Sequence, residues 1–345
     1  MRFRRSSRWV PVTAAAFVAV GLTAAPAAAD GAEYARYTLD AAPPASTGTV
    51  TTAATGGPQG TFTTNSTRPG VSAGGSAFLG EQTPFGQVYG SSQGMPYLNL
   101  ATASGRTPST TSFTFDQVPT PGGWGVALGD IDADDVQISA TGPDGQALTA
   151  RQLGFQESFN YCDASPRPST CTGGTYTDEP SWDAATQTLH GSGTDTSGAS
   201  AWLRPTAEIR TLTLTFSVKT GIPAYQVWFA AQTANVSGNV ATESGDPLPE
   251  GTVLELRRPD GTPVLDDSNE PVSTTPDADG DYTFSDVAAG GYTVHVTPPP
   301  GHDVKGSDTE RADAAHGDAT GVDFTVAPAE DDCTCEEPGQ PGYGG

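Results

Sequence analysis

Lysine is almost missing from this 345-residue chain, where Lys219 and Lys305 are the only two. Neither follows a glycine-rich turn, so phosphate-loop nucleotide chemistry is excluded. Nucleic acid and anionic lipid headgroups are poor partners too, because binding them depends on cations that neutralise phosphate. Beyond residue 29 there is no apolar run approaching the roughly 20 residues that a membrane-spanning helix needs. A sustained helical period is also absent, and 42 glycines and 29 prolines interrupt the chain too often for long helices. Cysteine is limited to four residues.

What is present begins with an export signal. Arg2, Arg4, Arg5 and Arg8 precede an apolar stretch from Val12 to Leu22, and Ala27, Ala28 and Ala29 precede Asp30. That charged, apolar, small-residue order is a signal peptide over residues 1–29, with cleavage expected after Ala29. Removing it takes away four arginines and no acid, which moves the formal charge from -24 to -28. The expected location is therefore extracellular, with an acidic surface that keeps the chain soluble. In that compartment Cys162 and Cys171, which enclose a polar loop holding two prolines, are expected to close as a disulfide. Cys333 and Cys335 have no assignable partner. A zinc site is disfavoured because neither pair has C-x-x-C spacing.

The apolar pattern has the period of strands. Ile209, Leu212, Leu214, Phe216 and Val218 form the clearest row, with hydroxyl residues between the last four. Tyr225 to Ala231 follows as another strand. Phe113 and Phe115, then Val136, Ile138 and Ala140 before Pro143-Asp144-Gly145, read as a hairpin. The stretch 30–112 is rich in Gly, Ser and Thr and poorly defined, with short edge strands expected around Phe78, Phe85, Val88, Tyr89, Tyr97 and Leu98. The expected fold is all-β: a jelly-roll-like sandwich over 30–234, a small sandwich over 235–327, and a disordered acidic, Pro/Gly-rich tail over 328–345.

The second unit carries Gly238, Gly245-Asp-Pro-Leu248, Val253-Leu-Glu-Leu256, Asp277-Ala-Asp-Gly280, Tyr282-Thr-Phe284 and Gly290-Gly-Tyr-Thr-Val294. In that order it resembles the prealbumin-like modules of bacterial surface proteins: the serine-aspartate-repeat B-type, collagen-adhesin B-type and carboxypeptidase-regulatory-like domains. The resemblance implies an Ig-like β-sandwich and a surface or adhesin role. Two departures limit it. The acidic loop of calcium-binding B-type modules is replaced by Ala241-Thr-Glu-Ser-Gly-Asp246, and the Lys and Asn of an isopeptide cross-link are missing from the first and last strands. The ending Pro338-Gly-Gln-Pro-Gly-Tyr-Gly-Gly345 lacks an L-P-x-T-G signal, so covalent wall anchoring is not expected.

Candidate sites are few. Asp130, Asp132 and Asp134 alternate after Gly129, and Asp277, Asp279 and Asp281 flank Gly280. Alternating carboxylates in a bent loop suit calcium, the one candidate ion in a chain expected to require no cofactor. The plain alternative in both places is a solvated turn. Gly70-Val-Ser-Ala-Gly74 matches the G-x-S-x-G nucleophile pattern, but neither a buried strand nor a helix flanks it, which makes it a product of composition. His190, His295, His302 and His316 form no H-E-x-x-H pair. Forty acids leave glycoside hydrolysis open, but no spacing singles out a catalytic pair. Trp124 and Trp202, with Trp182, Trp228 and Tyr225, are either core or a flat platform for sugar rings.

The resulting expectation is a secreted, non-enzymatic surface or adhesion-type protein whose second module is a spacer. The alternative is a carbohydrate-binding, starch-binding-like accessory of extracellular glycan metabolism. Expected partners are an extracellular or envelope protein or glycan.

Overall fold

The computed structural model describes residues 31–42, 44–102, 107–172, 174, 176–221 and 223–329. The expected signal peptide, the tail and Cys333 and Cys335 lie outside them. The first strands are β1 (Ala32–Tyr34), β2 (Arg36–Asp40), β3 (Ser46–Thr51), β4 (Gln59–Thr64) and β5 (Gly70–Ala73). Helix α1 (Pro84–Tyr89) precedes β6 (Pro96–Ala101), β7 (Ser109–Phe115), β8 (Trp124–Gly129) and β9 (Asp134–Thr141). Helix α2 (Ala150–Leu153) precedes β10 (Phe155–Asn160), β11 (Ser181–Asp183), β12 (Thr188–His190), β13 (Ala199–Leu203), β14 (Thr211–Val218) and β15 (Ala224–Thr242). The last part holds β16 (Val253–Arg257), β17 (Ser273–Thr274), β18 (Asp281–Ala288), β19 (Gly291–Thr297), β20 (His302–Val304), β21 (Thr309–Asp313) and β22 (Phe324–Pro328). The all-β expectation holds.

One face of the first sandwich is an eight-stranded sheet in the order β11-β12-β9-β14-β7-β4-β3-β2. Its inward row includes Val50, Phe62, Phe113, Val136, Ile138, Leu212, Leu214 and Phe216. These meet Leu98, Leu100, Val126, Leu128, Tyr225, Val227 and Phe229 from the facing sheet, in which β8 and β15 are central. The outward row is hydroxyl. Register aligns Thr38, Thr49, Thr61, Thr114, Thr211 and Thr141 as one line across six strands, and cross-strand Thr–Thr pairs of this kind stabilise a sheet modestly.

The sheet built on β8 and β15 is covered on both sides, so every residue of β8 is buried. Its outer face carries Ala127, Trp202, Trp228 and Ala230 under Phe85 and Tyr89 of α1 and the Tyr161-Cys162 corner. Gly125 makes this layer possible, because a Cβ there would lie 2.8 Å from the Tyr89 hydroxyl oxygen. Thr83 caps α1 by accepting from Gly86 N–H at 3.0 Å, and Pro84 stands in its first turn.

Two expectations are corrected. Phe85, Val88 and Tyr89 belong to α1 rather than to edge strands. The hairpin read from Phe113 to Ala140 does not form either: β7 and β9 both pair with β14, which lies between them. After the Pro143-Asp144-Gly145 turn the chain makes a single bridge, Thr141 to Ala147, and then enters α2.

The second core gathers Val236, Val240, Leu254, Leu256, Phe284, Tyr292, Val294, Val296, Phe324 and Val326. It lies between the sheet β17-β16-β19-β21 and the β18, β22 and β20 strands that extend β15. Residue 235, where the second unit was expected to begin, is inside β15. That strand pairs with β6, β8 and β1 through Gln232, with β18 from Thr233 to Asn239, and in parallel with β22 from Val240 to Thr242.

Candidate functional site

The junction of the two sandwiches is the most elaborate interface in the molecule. Gln232 N–H donates to the Gly123 carbonyl at 2.9 Å, and Ala289 N–H donates to the Gln232 carbonyl at 2.8 Å. Thr55 N–H bonds the Asp286 carbonyl, and Ala288 N–H returns to the Thr55 carbonyl at 2.7 Å. Ala288 itself is part of the first core. The Tyr292 hydroxyl donates to the Ala288 carbonyl and lies 3.1 Å from the Thr120 hydroxyl. Burial raises the Tyr292 phenol to about 12, so it remains a donor across the ordinary pH range.

Side chains extend the contact outward. Arg258 donates to the Val118 carbonyl at 2.7 Å and stands 3.9 Å from a Glu208 oxygen. Gln117 donates to Asn269 at 2.7 Å. Gly123 lets the two backbones meet, since a Cβ there would lie 2.2 Å from the Ala289 carbonyl oxygen. A 430 Å³ cleft remains between Pro121, Glu208, Arg258, Pro259 and Tyr292.

Asp130 and Asp132 lie in the β8–β9 turn and Asp134 opens β9, three carboxylates that alternate along the sequence as one set. The fold separates them. Asp130 adopts φ +65°, which Asp tolerates, and accepts from Gly198 N–H at 3.1 Å and from Gln226 at 3.4 Å. Gln226 shares the face of its strand with Trp228, on the outer side of the sheet. Asp134 shares the inward row of Val136 and Ile138, is fully buried, and has no hydrogen-bond partner for either carboxylate oxygen. Asp132 lies between them and accepts from Thr196 N–H at 3.1 Å and Thr196 O–H at 3.0 Å.

Asp130 thus meets Gly198 and Gln226, while Asp134 faces the core. No group of three or more His, Cys, Asp or Glu side chains among the described residues is arranged to hold an ion. Burial lifts all three above the usual carboxylate range: Asp130 to about 7, also through repulsion from Asp132, with Asp132 and Asp134 raised as well.

The second aspartate set is a turn. The Asp277 carboxylate accepts from Asp279 and Asp281 N–H at 2.9 Å each, and Asp281 accepts from Asn239 at 2.8 Å. All three are exposed, and Asp277 spends one oxygen on holding the chain reversal.

The aromatic platform is corrected. Trp124 is fully buried and stacks on Phe229 at 5.8 Å, and Trp202 is 4% exposed and meets Phe85 and Tyr89 edge-on. Trp228 and Tyr225 are also buried. None of these rings can lie against a sugar. Trp182 is half-buried and stacks on Phe155 at 5.2 Å. Ser72 sits in the edge strand β5, so no nucleophile elbow is formed. The Cys162–Cys171 disulfide is present, with Cα atoms 5.5 Å apart.

No family model matches the chain, and no curated protein matches it. Among solved structures it is similar to BcpA, the major pilin subunit of Bacillus cereus, at 12% identity and a TM-score of 0.24, over 77% of this chain and 71% of that one. The group B streptococcus pilus 2b backbone protein gives 10% identity and 0.24, over 67% and 97% of the two chains. The major pilin SpaD of Corynebacterium diphtheriae gives 11% and 0.22, over 67% and 64%. Similarity of this size assigns neither a family nor an activity. No helix among the described residues is long and apolar enough to cross a membrane.

Proposed function

We propose that this is a non-catalytic extracellular protein that acts at the cell surface as a rigid two-sandwich strut. The first sandwich offers the contact surface for an envelope protein or glycan, and the second holds it at a fixed distance and angle. The observation that carries this reading is β15, a strand of 19 residues that is central to the first sandwich and continues into the second, with one register shift between Ala234 and Val236. A flexible linker would let two modules reorient, whereas a shared strand with a buried, hydrogen-bonded junction resists bending. The charged, apolar, small-residue order of residues 1–29 and the acidic, lysine-poor composition support an extracellular address and a partner other than nucleic acid.

The reading is tested by fractionating cells that produce an epitope-tagged chain and by pull-down from envelope extract with the purified mature protein. Recovery outside the cytoplasm with a specific envelope partner is expected. Cytoplasmic retention, or hydrolysis of an envelope polysaccharide by the pure protein, contradicts it.

A further inference from the structure

The cleft at the junction is built from both sandwiches: Pro121 and Glu208 come from the first, and Arg258, Pro259, Asp260 and Tyr292 from the second. The tie of Arg258 to the Val118 carbonyl uses Nη2, and among the described residues it is the one hydrogen bond that this side chain makes. Its Nη1 faces Glu208 across 3.9 Å, too far for a hydrogen bond. The Arg258 side chain is 13% exposed and held in place, whereas that of Glu208 is 42% exposed and free to adjust. Asp260 accepts from Thr262 N–H at 2.9 Å and Thr262 O–H at 2.7 Å through a single oxygen, which leaves the second for solvent or a ligand.

This arrangement disfavours charge of either sign. An anion entering the cleft meets Glu208 and Asp260, and a cation meets Arg258. A hydroxyl suits it, because its oxygen accepts from Arg258 Nη1 while its proton goes to Glu208, so one group satisfies a donor and an acceptor 3.9 Å apart. Pro121 and Pro259 add apolar walls, against which C–H groups pack without stranding a polar atom. A ligand with hydroxyls at its rim and C–H groups on its faces, of a size for 430 Å³, is a sugar ring.

We propose that the junction cleft binds a neutral oligosaccharide, one ring of which places a hydroxyl between Arg258 and Glu208 and a C–H face on Pro121 and Pro259. Anionic glycans are rejected by Glu208, Asp260 and the formal charge of -24. The site needs none of the buried tryptophans. Since the ligand touches both sandwiches, its binding stabilises the folded junction. The proposal rests on the reading of an extracellular, non-catalytic protein with a glycan partner.

The test is calorimetric titration of the full mature chain with cellotriose, maltotriose, mannotriose and tri-N-acetylchitotriose, with trigalacturonate as the anionic control. At least one neutral trimer should bind at millimolar concentration and raise the melting midpoint, and trigalacturonate should do neither. Glu208→Ala removes an exposed side chain and leaves the Arg258–Val118 tie in place. It should keep the midpoint of the free protein and weaken the sugar on the order of tenfold. Three results would each overturn the proposal: no binding by any neutral trimer, trigalacturonate bound as tightly as a neutral trimer, or sugar binding undiminished in Glu208→Ala. Chromatography of the sugars afterwards keeps the two readings apart. Cleaved trimers contradict the non-catalytic reading, whereas intact trimers that do not bind remove only this site.

Discussion

Tyr292 shows how much of the architecture rests on single side chains. Its ring lies in the second core while its hydroxyl reaches Ala288 and Thr120, tying the second module to a residue of the first. Tyr292→Phe keeps the ring and removes the tie, so a loss of about 1 kcal/mol in chemical denaturation is expected. Trp124→Ala empties a site inside the first core and should cost roughly 3–5 kcal/mol, with no effect on sugar binding beyond that of unfolding. Opening the Cys162–Cys171 loop by Cys171→Ser should cost about 2–4 kcal/mol and lower the thermal midpoint, as measured by calorimetry. The disulfide was legible because two cysteines flank a short polar loop that holds two prolines. The depth of the tryptophans was not, because aromatic residues in alternating strands suit a core and an exposed platform equally. Nor did spacing reveal the separation of Asp130 from Asp134: alternation places such residues on one face only while the strand is regular, and the left-handed turn at Asp130 breaks it.

At the scale of elements, legibility followed the inward row. Strand β14 was read directly because Leu212, Leu214 and Phe216 alternate with hydroxyls. The strands before residue 112 were poorly defined because their buried positions are small or polar. In β4 that row is Gly60, Phe62 and Thr64, so one bulky residue marks the whole strand. Helix α1 escaped because six residues with Pro84 and Gly86 among them give no helical period, although Thr83-Pro84 is a capping sequence. Strand β8 was hidden for the opposite reason, since burial on both faces erases alternation. The continuity of β15 was also missed: Asn235 is a turn-favouring residue where the ladder shifts register, and the change of partners from β8 to β18 is a property of the fold rather than of the strand. The junction was legible only as a place where one set of strands ends and another begins.

For the molecule as a whole, two hydrophobic cores share one strand and a buried, hydrogen-bonded contact, while a charge of -24 is carried mostly at the surface. We propose that this arrangement is one rigid body. It is tested most directly by the distance distribution between two spectroscopic labels placed at exposed positions, Thr61 in the first sandwich and Asp303 in the second. A single narrow distribution is expected in the unmodified chain, broadening when a flexible Gly-Ser segment is inserted after Asn235. A broad distribution in the unmodified chain, unchanged by the insertion, would contradict it.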